Sequence, residues 1–125
     1  MVEDTITDGK RIAQLLASEV TGRETGPLAS LTVVDADPDV EPTADGAFAY
    51  GIDRDGDRLA DVTVQPDRAC LELKRRVDTG AEAAAAADLR VRRKAVDPPT
   101  ALVFVETGAS VKAAVDALGA ATEAQ

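Results

Sequence analysis

Residues 47–77 carry two tight-turn signals inside an alternating apolar pattern, and that combination restricts the fold more than any other feature of the chain. Ala47–Asp53 alternates, so that Phe48, Tyr50 and Ile52 are expected on one face and Ala47, Ala49 and Gly51 on the other. Asp53-Arg54-Asp55-Gly56-Asp57 then contains Asp-Gly, a pair that accepts the positive φ of a short hairpin turn. Leu59–Gln65 reads as the returning strand. Gln65-Pro66-Asp67-Arg68 places proline at the second turn position, where its fixed φ suits a type I turn. Ala69–Val77 follows as a third strand, with Leu71 and Leu73 inward and Cys70, Glu72, Lys74 and Arg76 outward. Strands joined this closely form an antiparallel meander, and a meander needs something to cover one of its faces.

The flanking segments supply the cover. Thr7–Val20 reads as a helix, capped by Thr7 or Asp8, with Ile12, Leu15, Leu16 and Val20 on one side and Thr21-Gly22 as its stop. Gly22–Pro27 reads as a loop and Leu28–Asp35 as a strand. The stretch from Asp35 to Gly46 holds two prolines and five acids, which rule out a ladder strand. Thr79-Gly80-Ala81-Glu82 fits a capping box that opens the alanine run Ala83–Ala87. Leu89–Val96 reads either as a continuation of that helix or as a strand, and its short connection to Ala101–Val105 favours the strand. Leu102-Val103-Phe104-Val105 is apolar on both faces, as in a central strand. Ala109–Leu118 reads as a last helix stopped by Gly119, with a frayed tail from about residue 120. The expected order is α-β-β-β-β-α-β-β-α in one domain spanning residues 1–125. The fold class is α+β: a two-layer sandwich, its mostly antiparallel sheet carrying helices on one face.

Composition narrows the setting. The 125 residues include 23 acids and 14 bases, for a net charge of −9. Asp outnumbers Glu 15 to 8, Arg outnumbers Lys 10 to 4, and alanine supplies 24 residues, while Trp is absent and Phe and Tyr total three. Asp-rich surfaces hold water and cations, and a small Ala/Val core suits a solvent whose salt already strengthens apolar burial. This pattern resembles cytoplasmic proteins of salt-in haloarchaea. The segment Val96-Asp97-Pro98-Pro99-Thr100-Ala101-Leu102-Val103-Phe104-Val105-Glu106-Thr107-Gly108 also resembles pieces of small, acidic, uncharacterised haloarchaeal proteins. That resemblance covers the last third of the chain and implies no activity or site.

With no histidine, the chain has no Ser-His-Asp triad, Cys-His pair or histidine metal ligand, and its one cysteine excludes an internal disulfide and a Cys-rich zinc site. The acidic start and the lack of a long apolar run point to the cytoplasm and away from a membrane. Asp53, Asp55, Asp57 and Asp61 stand at positions 1, 3, 5 and 9 of a loop, a spacing used to wrap calcium. The stretch is similar to the Asp-rich loops of calcium-binding β-propeller repeats. It lacks their glycine after the third Asp, where Arg58 stands, and has Val64 where a helix-loop-helix site has Glu. The competing reading is an acidic hairpin turn. Asp35, Asp37, Asp39, Glu41 and Asp45 form a second acidic cluster, read as a solvated loop. Cys70 lies mid-strand with no activating base and reads as inert.

Charge is unevenly spread. Residues 1–70 carry 15 acids and 6 bases, residues 71–125 eight of each, and seven bases fall within residues 74–94. If both basic segments are strands, Lys74, Arg76, Arg90, Arg92 and Lys94 share an outward stripe able to contact an anion or nucleic acid. The alternative is that they pair with the chain's own carboxylates. No glycine-rich phosphate loop is present. The expectation is a non-enzymatic interaction or regulatory module without a cofactor. A protein partner or a second copy would meet its sheet face at Ala47, Ala49 and Gly51. A nucleic-acid accessory protein and a calcium-stabilised domain are the alternatives.

Overall fold

The computed structural model describes residues 8–22, 30–96 and 98–123, with Glu123 described by its backbone alone. Thr7, most of the loop after the first helix, Leu28, Asp97 and the last two residues lie outside the described residues. The elements are α1 (Gly9–Thr21), β1 (Leu31–Val34), β2 (Ala47–Arg54), β3 (Asp57–Gln65), β4 (Arg68–Leu73), α2 (Val77–Ala86), β5 (Arg90–Lys94), β6 (Thr100–Val105) and α3 (Val111–Glu123), the last entered through a 3₁₀ turn at Gly108–Ser110. The expected α+β class and element order hold, and residues 90–94 are a strand. Every strand pair is antiparallel. Strand order is β1-β2-β3-β4-β6-β5, so β6 returns between β4 and β5. The three helices of the described residues pack on one face.

That face is built from small aliphatic side chains. Ile12, Leu16 and Val20 of α1 meet Ile52, Val62, Val64, Leu71, Leu73, Val103 and Val105 of the sheet and Leu118 of α3, all at most 1% exposed. Burying each contributes about 1.5–3 kcal/mol. Asp8 caps α1 by accepting from the Arg11 N–H at 3.1 Å. Gly9 is pressed onto the β3–β4 turn, where any Cβ would collide with the carbonyls of Gln65 and Arg68. Tyr50 is the buried aromatic, and its hydroxyl donates to the Ala13 carbonyl at 2.7 Å. Burial pushes that phenol above its ordinary range.

The first strand is shorter than expected, Leu31–Val34, ending where Asp35 turns left-handed (φ 54°), and four other features differ from the sequence reading, each for a local reason. First, β2 and β3 shift register between Phe48 and Tyr50, leaving Ala49 as an extra residue whose carbonyl accepts from the Asp37 N–H at 2.8 Å. Phe48, opposite Thr63, therefore faces away from Tyr50 and Ile52 instead of sharing their side. Second, β4 stops at Leu73, because Arg76 takes a left-handed conformation (φ 54°) that turns the chain into α2. Third, α2 begins at Val77, so Thr79 and Glu82 lie inside it and the capping box is not used; no side chain caps that end. Fourth, α3 runs through Gly119 to Glu123. Ala121 and Thr122 are buried there, and the Thr122 hydroxyl bonds the Leu118 carbonyl, so packing holds a segment expected to fray. The hairpin turn is as expected: Asp55 and Gly56 both take positive φ (51° and 87°) between the paired Arg54 and Asp57. No helix among the described residues is long and apolar enough to cross a membrane.

Candidate functional site: the open sheet face

Among the described residues, no helix packs on the second face of the sheet. Alternation and register place three rows on it. One row runs Gly51, Asp61, Glu72, Leu102, Arg92; a second runs Phe48, Thr63, Cys70, Phe104, Arg90; a third holds Asp53 opposite Arg58, with Thr100 opposite Lys94 further along.

Arg58 organises the acidic end. Its Nε donates to Asp53 (2.8 Å), Nη1 to Asp61 (2.5 Å) and Nη2 to Asp35 (2.8 Å). Hydrogen bonds to Asp61 and then Asp53 hold the guanidinium's pKa above its ordinary value. The guanidinium lies over Gly51, where a Cβ would come within 2.6 Å of Nε and Nη1. So Gly51 is roofed by Arg58, and Ala49 is buried. The flat small-residue surface expected from Ala47, Ala49 and Gly51 is not present, because the extra residue at Ala49 breaks the alternation that would have built it.

Glu72 organises the other end. It accepts from the Thr100 hydroxyl (2.9 Å) and Lys94 (3.3 Å), and lies 3.6 Å from Lys74, which also reaches Asp61 at 3.5 Å. Burial works against the charge on Glu72, but the Thr100 hydrogen bond and the two lysines outweigh it, and its pKa falls below the usual carboxylate value. Arg68 and Arg90 both approach Glu106 at 3.8 Å. Arg68 also stacks over the Phe104 ring, 4.3 Å from its centre.

Each residue singled out from the sequence can now be placed. Asp53 and Asp61 converge on Arg58, while Asp55 and Asp57 sit at the hairpin tip. Among the described residues no three Asp, Glu, Cys or His side chains come together as a metal site. Of the second acidic cluster, Asp35 joins Arg58, and Asp37 accepts from the Asp39 N–H at 3.0 Å. Lys74, Arg90 and Lys94 each face a carboxylate, Arg92 is exposed, and Arg76 leaves the stripe for the start of α2. Cys70 is buried between Thr63 and Phe104, and burial pushes its thiol up to about 11. Sequence reasoning missed the roles of Glu72 and Thr100. They are 28 residues apart and meet because β6 enters beside β4, a pairing that spacing along the chain does not encode.

The paired charges of the open face thus cancel, and exposed Arg92 leaves it one positive charge from neutral. Five carboxylates (Asp35, Asp53, Asp61, Glu72, Glu106) pair with five cations (Arg58, Arg68, Lys74, Arg90, Lys94). Both phenylalanines of the chain lie among these pairs, Phe48 being 40% exposed. The family of unknown function DUF7993 matches residues 1–125, and the chain belongs to it. No curated protein and no solved structure matches the chain.

Proposed function

We propose that this member of the family is an interaction module that docks a second copy of itself through the open sheet face. One observation carries the reading. The charges on that face, five carboxylates against five paired cations and Arg92, come to within one unit of neutral in a chain of net charge −9, so the excess negative charge lies on the rest of the surface. Two copies repel each other through every surface that bears the excess, and least through the near-neutral one. Phe48, Leu102 and Phe104 supply apolar area there, and stacked sheets with such faces pack about 10 Å apart. Six strands averaging about six residues span about 29 Å by 20 Å, roughly 600 Å² in projection. That is the small end for a specific interface, so the dimer forms at high protein concentration. A regulatory role follows if a different partner competes for the face.

A non-enzymatic role is supported by the state of the candidate nucleophiles. Burial raises the pKa of both Cys70 and Tyr50, which disfavours their reactive anions. The acidic composition and the aliphatic core support a cytoplasm of high salt, where screening permits close approach and salt strengthens the apolar contact. A nucleic-acid role draws less support, since three members of the basic stripe already face carboxylates.

Sedimentation equilibrium in molar KCl tests the proposal. The expected result is a concentration-dependent dimer that Phe48→Glu or Leu102→Glu abolishes while circular dichroism stays unchanged. A monomer at every concentration, or a dimer indifferent to both substitutions, overturns it.

A further inference from the structure

Away from the open face, where the β2–β3 hairpin meets the start of α2, a cavity of about 390 Å³ is lined by Arg54, Asp55, Asp57, Leu59, Arg75 and Arg76. We infer that this cleft is a binding site for a small phosphate ester that also carries hydroxyl groups, such as a sugar phosphate or a nucleotide. Four observations carry the inference, and none depends on the open-face reading.

The first is charge without a partner. Arg58, Arg68, Lys74, Arg90, Arg93 and Lys94 all have carboxylates within 4 Å. Among the described residues, Arg54, Arg75 and Arg76 have none; Lys10, Arg11, Arg92 and Lys112 also lack one, but only the three arginines line a single cleft. Three guanidinium groups left together repel one another, and a bound anion removes that repulsion. The second is an orphan donor. Arg54 Nε is shielded from solvent and has no hydrogen-bond acceptor, alone among the buried side-chain polar atoms of the described residues. Arg54 sits on β2 next to Asp53 and faces the side opposite to it, so it cannot join the Arg58 network.

The third is the placement of Asp55 and Asp57. They line the same cleft, yet neither pairs with its arginines. Carboxylates held beside an anion site repel a bare anion and accept hydrogen bonds from hydroxyl groups. The lining therefore selects a molecule with a phosphate at one end and hydroxyls at the other. The fourth is size. The volume lies within the roughly 300–1,000 Å³ typical of small-molecule sites and far exceeds what inorganic phosphate fills. The uncapped start of α2 at Arg76 adds unpaired N–H groups on the same side. Guanidinium binds phosphate by two parallel hydrogen bonds, and such short contacts survive salt that screens the long-range repulsion of the −9 surface.

The test is an amide-resolved NMR titration of the full chain in molar KCl, with ribose 5-phosphate, inorganic phosphate and ribose as separate probes. Ribose 5-phosphate should saturate and shift amides of residues 54–59 and 75–77. Inorganic phosphate should shift the same amides with at least tenfold weaker affinity, and ribose should leave them unmoved. Arg75→Gln should weaken ribose 5-phosphate at least tenfold with the remaining spectrum preserved. Arg54→Gln should do the same, and Arg75→Gln decides the matter if the half-buried Arg54 variant does not fold. No saturable shift with ribose 5-phosphate overturns the inference, as does equal affinity for inorganic phosphate or full affinity in Arg75→Gln.

Discussion

Replacing Arg58 with alanine removes the one cation that three carboxylates share, and the cost can be built up from contacts. Asp53 and Asp61 are only 21% and 20% exposed, and their bonds to Arg58 are 2.8 and 2.5 Å; Asp35 is 68% exposed. Exposed pairs contribute about 0.2–1 kcal/mol. With the upper end for the two sheltered pairs and the lower for Asp35, and Arg58 itself one-third exposed, the loss is about 2 kcal/mol. For a chain of this length that lowers Tm by roughly 6–12 °C. Raising the salt from 0.1 M to 1 M shortens the Debye length from about 10 to about 3 Å, so the cost should fall toward about 1 kcal/mol as repulsion among the freed carboxylates is screened. Gly51→Ala provides the internal check. Its Cβ would occupy the place of the Arg58 guanidinium, so it should cost about 1–2 kcal/mol in the parent chain and close to nothing beside Arg58→Ala. Urea melts followed by circular dichroism, at protein concentrations too low for association and over a KCl series, give all four corners of the cycle. Costs that add to within about 0.5 kcal/mol would refute the roofing of Gly51 by Arg58. An Arg58→Ala cost no larger than that of Arg92→Ala would refute the network.

Other outcomes follow from the same structure. Melting temperature should rise steeply from dilute buffer to molar KCl, and equal values in both would remove the argument from the acidic surface. Millimolar Ca²⁺ at fixed ionic strength should stabilise no more than Mg²⁺; a calcium-specific rise lost in Asp55→Asn would give the hairpin a role the geometry does not supply. Glu72 titrates below its unfolded value of 4.5, so its contribution is complete above that pH and disappears as the pH falls through the folded value. Thermal melts of Glu72→Gln should therefore show a flatter acid limb than the parent. Cys70 has the opposite sign. Its thiol is raised from 9.0 to about 11, so its contribution is complete below pH 9 and is lost across pH 9 to 11. At neutral pH maleimide should label it only at the rate of unfolding, and rapid labelling of the folded chain would contradict its burial.

Legibility in the sequence depended on how local each signal was. The meander, its Asp55-Gly56 turn and the apolar stripe of α1 were readable because turn chemistry and side-chain period act over two to eight residues. The register shift at Ala49 was not, because it depends on a hydrogen bond from Asp37, twelve residues upstream. The full length of α3 is hidden by Gly119, where tertiary packing of Ala121 and Thr122 outweighs the helix cost of a glycine. The capping signal at Thr79 and Glu82 was overridden by the left-handed Arg76, which starts α2 earlier. Of the site, individual charges were visible but not their partners. Arg58 read only as the residue standing where a calcium loop has glycine, and the cleft of Arg54, Arg75 and Arg76 joins segments twenty-one residues apart through two intervening strands.

The insertion of β6 between β4 and β5 has a consequence for how the chain assembles. The four-strand meander and α1 can form from nearest neighbours alone, and while they do, the outer edge of β4 has no partner. That edge presents the backbone of Ala69-Cys70-Leu71-Glu72-Leu73, a short apolar template open to any extended segment. It is closed only when Thr100–Val105 arrives, and the register brings β5 with it as the other half of a hairpin. Nascent chains that end before residue 100 are thus the form of this molecule most exposed to misassembly. The basic strand Arg90–Lys94, carrying four cations in five residues, then becomes the terminal edge and repels any like strand that would extend the sheet.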